Sequence, residues 1–177
     1  MTSIPRRRLV GAALLLPLTH GAWAEICSEP TPRETEGPFF KPASPQRVTL
    51  TEPASKAPRL IVTGRVLTAD CKPAANALLD FWHADENGDY DNRGFRYRGH
   101  QFTDAEGRYR LETIVPAVYP GRTRHIHVKV QPAGGRILTT QLYFPDEPEN
   151  ERDGLFRTEL VMRMAARSEG AFDFVLA

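Results

Sequence analysis

Gly121-Arg122-Thr123-Arg124-His125-Ile126-His127-Val128-Lys129-Val130 is the stretch from which the fold can be read. Its apolar residues recur at every second position, so Ile126, Val128 and Val130 share one side of a strand while His125 and His127 share the other. The apolar side seeks a core. The two imidazoles then stand side by side on the opposite face, the arrangement by which one rigid strand offers two nitrogen ligands to a single metal ion. His-x-His alone also describes two ordinary, partly exposed histidines, so the rest of the chain must decide.

Working outward, short segments with turn signals between them flank this strand, at 60–67, 77–82, 108–114, 137–144, 159–162 and 172–176. Several alternate cleanly, as in Arg108-Tyr109-Arg110-Leu111-Glu112 and Phe172-Asp173-Phe174-Val175-Leu176. No segment downstream of residue 24 carries a 3.6-residue period. About seven or more short strands punctuated by Gly, Pro, Asp and Asn predict an all-β fold, an antiparallel β-sandwich. Ahead of it, residues 25–57 read as an extended N-terminal arm, because seven prolines from Pro30 to Pro58 deny it a long helix or a central strand. Within that arm, Phe39 and Phe40 follow Gly37-Pro38 as an aromatic anchor.

The chain of 177 residues, 41% hydrophobic and 25% charged, has room for one domain. A formal charge of +1 gives no footprint for nucleic acid, and no apolar run reaches the roughly 20 residues of a membrane span. Residues 1–24 read as an export signal: basic Arg6-Arg7-Arg8, an apolar run from Leu9 to Leu18, and the small-x-small site Ala22-Trp23-Ala24. The domain proper is therefore expected over residues 25–177, exported to the periplasm or secreted. Arg6-Arg7-Arg8-Leu9-Val10 is similar to an imperfect twin-arginine signal, a route taken by proteins that fold around a cofactor before crossing. General secretory signals also carry arginines, so the route stays open. In an oxidising compartment Cys27 and Cys71 are expected to form one disulfide that pins the arm, the alternative being two buried thiols.

Two loops carry tyrosines toward the histidine strand. Trp82-His83-Ala84-Asp85-Glu86-Asn87-Gly88-Asp89-Tyr90 is dense in acid, amide and glycine. Its Asp85, Asn87 and Asp89 are similar to a calcium loop, but no Glu stands at the closing position, so a turn is expected. The second loop, Val115-Pro116-Ala117-Val118-Tyr119-Pro120, presents its tyrosine with little backbone freedom left to lose. Around one ion, two imidazoles and two phenolates are a donor set for a hard, strongly Lewis-acidic cation, because a phenol of pKa about 10 needs one to stay deprotonated at neutral pH. Ferric iron fits, and a catechol, itself a pair of phenolic oxygens, is its natural partner.

At this point the chain resembles the intradiol ring-cleavage dioxygenases, particularly the protocatechuate 3,4-dioxygenase type. The resemblance rests on Thr35-Glu36-Gly37-Pro38-Phe39, Asp80-Phe81-Trp82-His83-Ala84-Asp85, Gly88-Asp89-Tyr90 and Phe102-Thr103-Asp104-Ala105-Glu106-Gly107-Arg108-Tyr109. It continues through Tyr119-Pro120, Arg122, His125-Ile126-His127 and Thr140-Gln141-Leu142-Tyr143-Phe144-Pro145. It implies a non-haem Fe(III) held by Tyr90, Tyr119, His125 and His127. It implies further that a catechol-type substrate displaces Tyr119, reacts with O2 and opens to a cis,cis-muconate-type diacid. Arg122 and Gln141 match positions that steady ring charge and orient substrate.

The chain departs from the family where Arg122 is followed by Thr123-Arg124 in place of the common Pro-Ala. The loop from Tyr119 to Arg122 is also short, which leaves the choice of catechol open. So are the oligomeric state and any partner subunit. His83 and His100 match no ligand position and read as ordinary polar residues. The competing reading is a secreted β-sandwich binding module for carbohydrate or another small ligand, without iron or catalysis. A copper protein is disfavoured, since no Met or Cys ligand lies near the histidines.

Overall fold

The computed structural model describes Cys27 and residues 29–177, and the expected export signal, residues 1–24, lies outside the described residues. Nine strands follow one another: β1 (Arg59–Thr68), β2 (Leu78–Trp82), β3 (Arg98–Phe102), β4 (Arg108–Ile114), β5 (His125–Gln131), β6 (Leu138–Tyr143), β7 (Arg163–Ala166), β8 (Glu169–Ala171) and β9 (Phe174–Leu176). One sheet has the order β4-β1-β8-β7, with β9 pairing the far half of β1, and the other has the order β3-β2-β5-β6. Among the described residues there is no α-helix, only the single-turn 3-10 segments Pro148–Glu151 and Thr158–Leu160.

The sandwich is borne out, and the second sheet is antiparallel throughout. In the first, β8 and β9 run parallel to β1. Two segments differ from the sequence reading. Residues 159–162 make a 3-10 turn and a single bridge from Val161 to Tyr143, and the strand begins afterwards. The unexpected β3, Arg-Gly-His-Gln-Phe, has no apolar alternation to announce it, because it is an edge strand.

Period two decides which residues meet. Leu60, Val62 and Leu111 from one sheet pack with Leu79, Phe81, Ile126, Val128, Val130 and Leu142 from the other, all fully buried. Each such side chain contributes about 1.5–3 kcal/mol by leaving water. The alternate residues of the second sheet therefore face away from this core. On that outer face the register aligns Arg98, Trp82, His127 and Gln141 in one row across all four strands.

The N-terminal arm covers this outer face. It starts at the Cys27–Cys71 disulfide, exchanges hydrogen bonds with Val175 through Thr31, and donates from the Glu34 N–H to the Thr139 carbonyl. Farther along, it bonds both edge strands: the His100 N–H donates to Pro45 and the Glu112 N–H to Val48. One extended segment thus closes an edge of each sheet and roofs the polar face between them.

Candidate metal centre

Strand β5 holds His125 and His127 on the outer face, and their Nε2 atoms stand 3.1 Å apart. The Tyr90 hydroxyl is also 3.1 Å from His125 Nε2. Tyr90 arrives from the turn after β2, which Asp85 organises. One Asp85 oxygen accepts the N–H groups of Asn87 and Asp89, and the other pairs with Arg96. No calcium loop is needed to explain that acidic run. Tyr119 arrives from the proline-bracketed loop, its ring centroid 5.8 Å from that of Tyr90.

The two tyrosine loops are locked together. Ala117 N–H donates to the Asp85 carbonyl at 3.0 Å. Gly88, at φ +88°, lies so close to the second loop that a β-carbon there would be 2.4 Å from the Val118 carbonyl oxygen. From the arm, Phe39 stacks on Tyr90 at 4.5 Å between centroids and meets Tyr119 edge-on at 5.3 Å. The expected aromatic anchor is therefore real, but it grips the site face. Phe40 likewise packs on Trp82, whose indole lies nearly parallel to the His127 ring at 4.9 Å. Gly37 passes over His127, its missing β-carbon 3.5 Å from Cε1.

The histidines present the ligand form. His125 Nδ1 can only donate to the Thr123 carbonyl, 2.6 Å away, which leaves a bare lone pair on Nε2. Burial, reinforced by the Arg122 charge, lowers its pKa to about 4, and burial holds that of His127 well below the ordinary value. Both rings are neutral at pH 7. Burial raises the pKa of the Tyr90 phenol, so its phenolate requires a strong cation beside it. Donors bound to one ion at about 2.1 Å and at right angles stand roughly 3 Å apart. The observed 3.1 Å spacings fit that geometry. Among the described residues no three His, Cys, Asp or Glu side chains come together to hold a metal, so a metal here requires the tyrosine oxygens.

Arg122 and Gln141 are hydrogen-bonded to each other beside the histidines. Arg122 Nη2 donates to Gln141 Oε1 at 2.7 Å, and Gln141 Nε2 donates to the Thr35 carbonyl of the arm at 3.1 Å. Gln141 Oε1 also accepts from the Tyr143 hydroxyl, so the protein uses both ends of the amide. The Arg122 Nε donates to both oxygens of Asp153, at 3.1 and 2.9 Å. No hydrogen bond among the described residues uses Nη1.

All six residues singled out from the sequence thus gather on one face. What sequence reasoning missed is their support: Trp82 against His127, Asp153 behind Arg122, and Arg98, which donates to the Phe39 and Asp91 carbonyls. These contacts follow from strand register and loop docking, which no local pattern encodes. His83 is more than an ordinary polar residue, for it is buried between the Ala84 carbonyl and the Thr113 hydroxyl. His100 binds the Ser44 carbonyl. Neither reaches the centre.

Comparison with known proteins identifies the family. A dioxygenase family model matches residues 35–176. Catechol 1,2-dioxygenase 2 of Acinetobacter lwoffii is 34% identical over 154 residues, 72% of this chain and 56% of that protein. The protocatechuate 3,4-dioxygenase beta chain of Burkholderia cepacia is 38% identical over 117 residues, 56% of this chain and 50% of that one. The chain spans about half the length of these curated relatives. Among solved structures, the dioxygenase domain of a dioxygenase carbohydrate-binding protein fusion from Streptomyces sp. SirexAA-E superposes with a TM-score of 0.81. It is 54% identical, over 84% of this chain and 98% of that one. With two sheets, a roofed polar face and a matched span that runs nearly to the C-terminus, the chain belongs to the intradiol ring-cleavage dioxygenase family.

Proposed function

We propose that this chain is a non-haem Fe(III) dioxygenase that cleaves a catechol-type ring between its two hydroxyl-bearing carbons, using O2, to give a cis,cis-muconate-type diacid. The observation that carries the reading is the convergence of Tyr90 Oη, His125 Nε2 and His127 Nε2 at 3.1 Å spacings, with Tyr119 against Tyr90. These four side chains would hold the iron. When bound, ferric iron supplies the Lewis acidity that keeps phenols deprotonated and favours a catechol dianion. The residues do the rest. Tyr119, whose hydroxyl makes no hydrogen bond among the described residues, is suited to yield its place and take a substrate proton, whereas the Tyr90 hydroxyl lies against His125 Nε2. Arg122 Nη1 is free to meet negative charge on the ring, Trp82 covers one face of His127, and Phe39 packs against both tyrosines. The names of the relatives support a catechol-type substrate, and the disulfide supports an exported protein.

The test is direct. The purified protein should contain about one iron per chain, show a red-brown tyrosinate-to-iron band, and take up O2 with members of a panel of substituted catechols. Tyr119→Phe should weaken the band and slow turnover. An iron-free, colourless protein that consumes no O2 with any catechol defeats the proposal.

A further inference from the structure

The departure from the family pattern at Thr123-Arg124 turns out to be structured. Three consecutive residues leading into β5 bond to three residues spaced three apart in and around the 3-10 turn Pro148–Glu151. Arg122 Nε bonds Asp153, Thr123 Oγ1 bonds Asn150 at 2.7 Å, and Arg124 Nε bonds Glu147 at 3.0 Å. Asn150 lies in the turn, Glu147 is the extended residue before it, and Asp153 follows it by two residues, its N–H donating to the Glu149 carbonyl, so the segment offers its acceptors in step with an extended strand. Asp153 is the innermost rung and is buried. Besides both contacts with Arg122, it accepts the N–H groups of Thr123 and Leu155, each at 2.9 Å. Backbone donors on two sides fix the carboxylate before Arg122 meets it. The rung at Arg124 reaches further, since its Nη1 donates to the Pro116 carbonyl at the base of the loop that carries Tyr119.

We infer that Asp153 is the positioning residue of this site: through Nε it holds the Arg122 guanidinium so that Nη2 meets Gln141 and Nη1 faces the substrate. This rests on the proposed dioxygenase reading, in which Arg122 acts on the ring. A planar fork held at two corners presents the third in one direction, which an unclamped arginine on a loop would not do. Asp153 touches neither substrate nor metal, and its effect passes entirely through Arg122.

Five proteins test the inference: wild type, Asp153→Asn, Arg122→Met, the double variant of these two, and Arg122→Lys. All should retain iron and the red-brown band, because no ligand is altered. Asp153→Asn should lower kcat about 10- to 100-fold, the scale for losing a partner behind an active-site group. The double variant should be no slower than Arg122→Met alone, since the carboxylate acts only through the guanidinium. Arg122→Lys leaves the buried carboxylate paired and guards against misfolding as an explanation. It keeps the charge, loses the fork, and should be as slow as Asp153→Asn. In metal-free protein the Arg122 Nε–H nuclear magnetic resonance signal, identified by its absence in Arg122→Met, should exchange slowly in wild type and be lost in Asp153→Asn. A wild-type rate in Asp153→Asn or Arg122→Lys, losses that multiply in the double variant, or a protected Nε–H in Asp153→Asn overturns the inference alone. An iron-free, inactive wild type removes it together with the function on which it rests.

Discussion

Gly88→Ala tests how the two tyrosines are brought to one place. The new β-carbon would lie 2.4 Å from the Val118 carbonyl oxygen and 3.9 Å from the Tyr119 α-carbon. A carbon and a carbonyl oxygen in contact need about 3.3 Å, so the Tyr119 loop must retreat by roughly 1 Å. Alanine at φ +88° costs about 1–2 kcal/mol in backbone strain. Forcing a methyl into packed structure costs about 1–3 kcal/mol more, for a total of roughly 2–5 kcal/mol. Gly121 supplies the control, since it has φ +80° and nothing within 4 Å of its missing β-carbon. Gly121→Ala should therefore lose only the strain, about 1–2 kcal/mol. Urea unfolding of the metal-free variants gives the stability difference, and iron retained against a competing chelator gives its effect on the site. Turnover should fall on the order of 100-fold in Gly88→Ala, because a displacement near 1 Å misplaces a reacting group. If the two variants are equally stable and hold iron equally well, the tyrosine loops are not locked at this contact.

Two further outcomes follow from buried groups. His83 is held neutral by burial, its pKa lowered to about 4, so the unfolded chain binds the extra proton between pH 4 and the ordinary His value of about 6.5. Stability should therefore be complete above about pH 6.5 and decline by up to about 3 kcal/mol as pH falls to 4. His83→Gln should remove that share of the pH profile in urea titrations of the metal-free protein, leaving what the buried His125 and His127 contribute, and an unchanged slope would show that His83 contributes none of it. Replacing Cys27 and Cys71 together by serine opens a crosslink between residues 44 apart in sequence. In the chain-entropy model this costs up to roughly 4 kcal/mol. Thr31 still ties the arm to Val175, so iron content and turnover per folded molecule should match the wild type at temperatures well below the melt. Lost iron at low temperature would mean that the crosslink shapes the site itself.

The parts legible in the sequence were those governed by local period and donor chemistry. Ile126, Val128 and Val130 against His125 and His127 gave both the strand and its two faces. The prolines gave the arm. The tyrosines were found because a phenol is an unusual ligand that few ions demand, and the family motifs placed Arg122 and Gln141. What stayed hidden depends on pairing across the chain. Trp82 lies opposite His127 only because of the β2–β5 register, and Asp153 reaches Arg122 only because a 3-10 turn folds back on the start of β5. Strand β3 escaped notice because it is an edge strand, bridged on its outer side only by Gln46 of the arm, and needs no apolar stripe of its own.

The arm also dictates an order of events. Residues near Thr31 are made long before Val175, to which they bond across 144 residues, while Pro45 and Val48 cap strands made in between. The Thr31 end of the arm can thus dock only after Val175 has been made. Until β3 and β4 have been made, Pro45 and Val48 lie on a tether with nothing to dock against, and an edge left uncapped could recruit another copy. Folding should be slow, because it is dominated by pairings between distant residues.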